Sequence, residues 1–160
     1  MSRVLLVSLA TICFLAFAGE ALAADNDSHT VTVTVGAINE LAITGGNISL
    51  TLSPGIAGGD PLDATDDTTC DLVWTTNEAT KKITAETNLG APSFTLKVTA
   101  ANVTGGTAAG EVTLSTTATD FVTGVAMTIG ACDLSYVASA TAAQGTGSDV
   151  HTVLYTLTDA

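Results

Sequence analysis

Cys70-Asp71-Leu72-Val73-Trp74-Thr75-Thr76 is the stretch on which the fold turns. Cys70, Leu72 and Trp74 fall on one face and Asp71, Val73 and Thr75 on the other, the period of two that marks a half-buried strand. Cys132-Asp133-Leu134-Ser135-Tyr136 repeats the arrangement, with Cys132, Leu134 and Tyr136 sharing a face. Each run reads Cys-Asp-Leu and then an aromatic residue two positions on, which suits neighbouring or facing strands. Both cysteines therefore point with apolar neighbours towards a core, and Trp74 reads as core packing rather than a ligand platform.

The same alternation extends in both directions. Val31, Val33 and Val35 alternate with threonines, as do Ile48, Leu50 and Leu52 with Ser49 and Thr51. Phe94 to Val98, Val112 to Leu114 and Val153 to Leu157 follow suit. Ile38 to Ile43, Lys82 to Thr87, Val125 to Ile129 and Cys132 to Ala138 are further strand candidates. Gly, Asn, Asp and Pro clusters separate them, including Thr44 to Asn47, Ser53 to Asp67, Asn88 to Pro92, Asn102 to Gly110 and Ala143 to Asp149. Strands this short need two facing sheets to bury their apolar faces. The expectation is an all-β, immunoglobulin-like β-sandwich of about seven to nine antiparallel strands.

The N-terminus reads as an export signal. Arg3 is followed by an apolar run from Val4 to Ala18, and Ala21-Leu22-Ala23 supplies the small residues a signal peptidase selects. The expected organisation is a cleaved signal peptide over 1–23 and one β-sandwich domain over 24–160, secreted or held at the cell surface, with no membrane span in the mature chain. Cleavage removes Arg3 and Glu20, so the net charge stays at −12, with Lys81, Lys82 and Lys97 the only strong bases left. Such a surface repels phosphate backbones and anionic lipid, which excludes nucleic-acid binding.

Cys70 and Cys132 remain after cleavage, and an even pair in an exported chain predicts a disulfide. Closing that loop is worth about 4 kcal/mol in the chain-entropy picture. Asp60, Asp63, Asp66 and Asp67, with Asp71 beyond them, form the densest acidic cluster. Hard cations take several oxygens from such loops, so weak Ca²⁺ binding is the one cofactor the sequence raises. The spacing lacks the closing Glu of an EF-hand, and a solvated loop is the plainer expectation. His29 and His151 each open a His-Thr-Val run and read as strand-edge residues. No Gly-x-Ser-x-Gly elbow, His-Glu-x-x-His or phosphate loop occurs, so the chain is not expected to be an enzyme. Aromatic residues make up 4% of the chain, too few for a sugar-stacking face. Asn26, Asn47 and Asn102 each begin a glycosylation sequon.

An Ala-x-Ala signal, a Thr-Val strand from His29 to Val35, a Thr- and Gly-rich β-domain with one cysteine pair, and an alternating terminal strand from Val150 to Leu157 follow in order. This layout resembles secreted bacterial fimbrial subunits and spore-coat-U-like proteins, and other secreted proteins with a Thr-Val-Thr-Val opening. The resemblance covers most of the mature chain but rests on no diagnostic motif. The cysteines also lie mid-chain and near the end, whereas many fimbrial subunits place the first near the N-terminus. It implies an immunoglobulin-like fold and extracellular assembly, and carries over no binding residues. The expected function is a structural subunit of a surface filament, pilus-like fibre or matrix, with self-association or surface proteins as partners. Val31, Val33 and Val35 are the expected assembly strand, and the edge beside the terminal strand Val150 to Leu157 is its expected acceptor. The alternatives are that this segment is the first strand of its own sandwich, and that the chain is a secreted adhesin or calcium-dependent binding module.

Overall fold

The computed structural model describes residues 25–160, so the signal peptide expected over 1–23 lies outside the described residues. The chain divides into two units, 1–34 and 35–160. Within the first, residues 26–34 have no regular secondary structure and are exposed throughout. The second is a two-sheet antiparallel β-sandwich.

Ten strands build it: β1 (Asn39–Gly45), β2 (Ala64–Asp66), β3 (Cys70–Thr76), β4 (Lys81–Thr87), β5 (Thr95–Thr104), β6 (Thr107–Ala108), β7 (Val112–Thr113), β8 (Thr119–Val125), β9 (Thr128–Ser139) and β10 (Val153–Asp159). One sheet runs β1-β3-β9-β5-β7, with β2 also paired to β9, and the other runs β10-β4-β8-β6. The count exceeds the expected seven to nine because β6 and β7 are two-residue strands.

The two cysteine-bearing runs are neighbours. Leu72 stands opposite Cys132 and Trp74 opposite Gly130 in the β3–β9 ladder. Their inward faces supply Leu72, Trp74, Cys132 and Leu134 to a core completed from the other sheet by Ile83, Phe121, Val122, Val125 and Tyr155. The sheets are joined through that core by a hydrogen bond of 2.8 Å between the hydroxyls of Tyr136 and Tyr155. Phe121 packs against Tyr155 with ring centroids 5.1 Å apart.

Two expected strands do not form. Ile48 to Leu52 lies along the sandwich with Ile48 and Leu50 turned onto the core, but it joins no ladder. Gly45 explains the break. Its positive φ of 103° and its contact with the Thr69 carbonyl, which leaves no space for a Cβ, turn the chain out of β1. Val31 to Val35 is likewise in no ladder among the described residues. β1, which begins at Asn39, is the terminal strand of the first sheet.

Candidate functional site

The acidic loop is organised by its own backbone. The Asp66 carboxylate accepts hydrogen bonds from the Thr69 hydroxyl at 2.7 Å and the Thr69 amide at 3.1 Å, with a longer one from Thr68. Those bonds, the Thr69 hydroxyl foremost, hold its pKa below the usual carboxylate range. Asp60 accepts from the Ala142 amide, 82 residues away, and so pins the loop to the chain before β10. No three His, Cys, Asp or Glu side chains converge to hold a metal among the described residues. The structure therefore does not gather Asp60, Asp63, Asp66 and Asp67 into a calcium cage. Millimolar Ca²⁺ is expected to leave the melting temperature unchanged in the wild type and in an Asp63→Asn/Asp66→Asn variant alike, read by differential scanning calorimetry.

Cys70 and Cys132 are both buried and both free thiols. The register gives the reason that the expected bridge is not formed. With Leu72 opposite Cys132, Cys70 lies diagonally across the ladder. Diagonal Cα atoms stand about 7–8 Å apart, at or beyond what a disulfide spans. The Cys70 thiol instead donates to the Gly46 carbonyl at 2.8 Å. Burial pushes the Cys132 thiol up to about 11, so little reactive thiolate exists near neutrality. Native protein at pH 8 is expected to take no alkylating reagent at either cysteine, and unfolded, unreduced protein to take two equivalents by mass. A chain that takes none after unfolding has closed the bridge.

His151 lies just before β10, whereas His29, expected at a strand edge, is in no strand. His151 Nδ1 lies 3.1 Å from the hydroxyl of buried Thr87, and His29 is exposed in the first unit. Asn102 spends its side-chain amide on Asp133 at 2.6 Å, so a glycan there would cost that bond. Two shallow depressions of about 280 and 290 Å³ lie around Ile129, and Glu40 is the only titratable residue lining them. Trp74, Tyr136 and Tyr155 are in the core, where the sequence puts them.

The side of the sandwich formed by β1 and β10 is different. Each is the terminal strand of its sheet, and their Cα atoms approach within 8 Å without any backbone hydrogen bond between them. Ile43 stands opposite Leu72 and so faces inward, yet it is 50% exposed. Leu41, Ile48, Leu50, Val153 and Leu157 are half-buried against the core beside it. Residues 46–52 make no backbone–backbone hydrogen bond to the other described residues. The β1–β3 register is resumed only at the isolated Ser53–Leu62 bridge. The sequence marks these residues as apolar and alternating. It carries no sign that their backbone would go unpaired, because that depends on Gly45 turning the chain away from β2.

The opposite side is stitched shut. β5 pairs with β9 in the first sheet and runs on into β6, which pairs with β8 in the second. Leu114 donates to the Leu96 carbonyl in the first sheet, and the next residue, Ser115, accepts from the Thr87 amide in the second.

No helix among the described residues is long and apolar enough to cross a membrane. No protein-family model matches the sequence, and no curated protein is significantly similar to it.

Proposed function

We propose that this chain is an exported, non-enzymatic structural subunit that self-associates through its N-terminal segment, as a component of a surface fibre or matrix. The observation that carries this reading is the state of Val31, Val33 and Val35. They are 71%, 82% and 71% exposed, in a Thr-Val alternation suited to a strand, and no ladder among the described residues includes them. Isolated exposed apolar residues are ordinary on a protein surface. A strand-period row of three valines is not, because it presents one apolar face and unpaired backbone groups together. Strand addition satisfies both at once: backbone hydrogen bonds supply affinity, and the alternating side chains set the register.

Export is inferred from the signal-like N-terminus. Closing a Cys70–Cys132 bridge would require Cys70 to leave the Gly46 carbonyl and the diagonal pair to draw together.

Deleting residues 24–35 from the mature chain tests the reading. The truncated protein is expected to keep the circular dichroism and melting temperature of the sandwich, since β1 begins at Asn39, and to remain monomeric where the intact mature chain assembles. Sedimentation velocity and negative-stain microscopy read the difference. An intact chain that stays monomeric at every concentration and ionic strength contradicts the proposal.

A further inference from the structure

Resting on the assembly reading, we propose that the outer face of the first sheet around Ile129 packs against the same face of a second copy of this chain, a two-fold lateral contact between copies already brought together through residues 24–35.

Among the described residues, Ile129 is the most exposed large hydrophobic side chain in any strand, at 81% against 53% for Leu154 and 50% for Ile43. It stands in β9, an interior strand of its sheet, where neighbouring side chains ordinarily shelter such a residue. The register explains why they do not. On one side Ile129 meets only Thr75 of β3. On the other, β5 slips register after Ala101 and ends at Thr104, opposite Ala131, so no β5 residue stands beside Ile129. The branched side chain therefore projects from the face as a knob. Next to it the face is hollow. A depression of about 290 Å³ lies between Ile129 and the outward residues Glu40, Ala42, Val73 and Thr75 of β1 and β3, which apart from Glu40 have short side chains.

A knob beside a recess is complementary to itself. A two-fold axis lying in the interface midway between them carries each copy's Ile129 into the other's recess, which is an isologous contact. Apolar surface is then buried on both copies at once. Charge points the same way. The three lysines of the described residues are all paired, Lys81 with Glu78 and Asp159, Lys82 with Asp120, and Lys97 with Glu111. The remaining carboxylates make two copies repel over most of their surface, whereas Glu40 is the one charged residue at this recess. Size selects the occupant. Seven residues line the recess, against roughly 20–30 on each side of a stable contact. So small a patch does not hold two free molecules together, and a chain without residues 24–35 stays monomeric. It becomes effective where a separate contact raises the local concentration of the partner into the millimolar range. Copies joined through residues 24–35 have that separate contact, and an unrelated protein does not.

Crosslinking of the full mature chain decides the matter. Ile129→Cys places a thiol at the knob, and Thr156→Cys, exposed on the outer face of the other sheet, is the control. Both are melted first to establish that they fold. A short bis-maleimide joins only thiols held close together, and the wild type, whose own two thiols are buried, gives the background. A two-fold contact sets each Ile129 position against its own counterpart, so one variant suffices. Where the chain assembles, Ile129→Cys is expected to give a covalent dimer and nothing larger, at least tenfold above Thr156→Cys. With Val33→Asp added to remove the first contact, the same dimer is expected only at tenfold or higher protein concentration. Ile129→Cys that crosslinks no better than the control overturns the face contact, while assembly by sedimentation velocity still upholds the role of residues 24–35. A dimer equally strong with and without Val33→Asp, from a chain that assembles no further, keeps the face contact and ends the assembly reading. Ile129→Lys supplies the complementary loss. In negative stain it is expected to leave single fibres where the wild type shows laterally paired ones. Pairing that persists in Ile129→Lys, or fibres that vanish altogether, overturns the lateral assignment.

Discussion

Gly130→Ala is expected to destabilise the sandwich by about 3 kcal/mol, the upper end for overpacking a core by one methyl group. Gly130 stands opposite Trp74 in the β3–β9 ladder, and the space its Cβ would occupy is filled by the Trp74 indole, at the Nε1, Cε2 and Cζ2 atoms. The ring cannot retreat, because Trp74 is 2% exposed and Leu41 stands opposite it on the other neighbouring strand. Its Nε1 already has no hydrogen-bond partner, so no polar contact holds it in place; packing alone does. The cost should then depend on the size of the ring. Trp74→Phe is expected to be destabilising by itself, yet Gly130→Ala/Trp74→Phe should be more stable than Gly130→Ala alone. Urea melts of the four proteins give the coupling directly. Additive effects would mean that the methyl group finds room elsewhere.

That glycine shows how unevenly the fold was legible. β3 was expected residue for residue, because Cys70 to Thr76 alternates without interruption and is buried in the same rhythm. β9 was expected as two runs, Val125 to Ile129 and Cys132 to Ala138, because Gly130 interrupts the pattern. The interruption is where the neighbouring indole lies, so a local weakness in strand signal reports a tertiary contact. β8 was not foreseen at all. Phe121 and Val122 are consecutive and both fully buried, which only register shifts against β4 make possible, and alternation cannot predict those. The converse error concerns Ile48 to Leu52 and Val31 to Val35. Their periodicity is that of strands, but a strand also needs a partner, and partner supply is a property of the whole sheet. For the candidate site, the valines could be named from the sequence. The terminal strand could be named as an edge too, but not its opening against β1, because that follows from which strands end each sheet. The acidic loop is the opposite case: its carboxylates were plain in the sequence, but the amides and hydroxyl that Asp60 and Asp66 serve were not.

Stability is expected to hold level up to about pH 9 and then fall steeply, with Tyr136 and Tyr155 as the main cause above pH 10. Burial pushes both phenols above the ordinary tyrosine value of 10.0, Tyr155 the further of the two. The sign follows from proton counting. Below pH 10 the folded and unfolded chains both hold the phenolic protons, and stability is independent of pH on their account. Above pH 10 the unfolded chain releases protons that the folded chain retains, so the unfolded state is favoured by up to about 1.4 kcal/mol per pH unit for each phenol. Cys132 acts in the same direction from a lower start, because its thiol is raised from 9.0 to about 11. Lys81 and Lys97, raised by their carboxylate partners, add a further loss when they deprotonate. A Tyr136→Phe/Tyr155→Phe variant separates these causes. It removes both phenols and both ends of the 2.8 Å hydrogen bond, leaving no unpaired hydroxyl behind, so its stability at pH 7 should stay within about 1–2 kcal/mol of wild type. Single Phe variants strand one buried hydroxyl and should cost more than half of that each. In urea melts from pH 7 to 11.5, the double variant is expected to lose the steep fall beyond pH 10 and keep the shallower decline that Cys132 and the lysines impose. A double variant as steep as wild type would mean that the phenols ionise without unfolding the sandwich. Burial in the core would then not be what keeps them protonated.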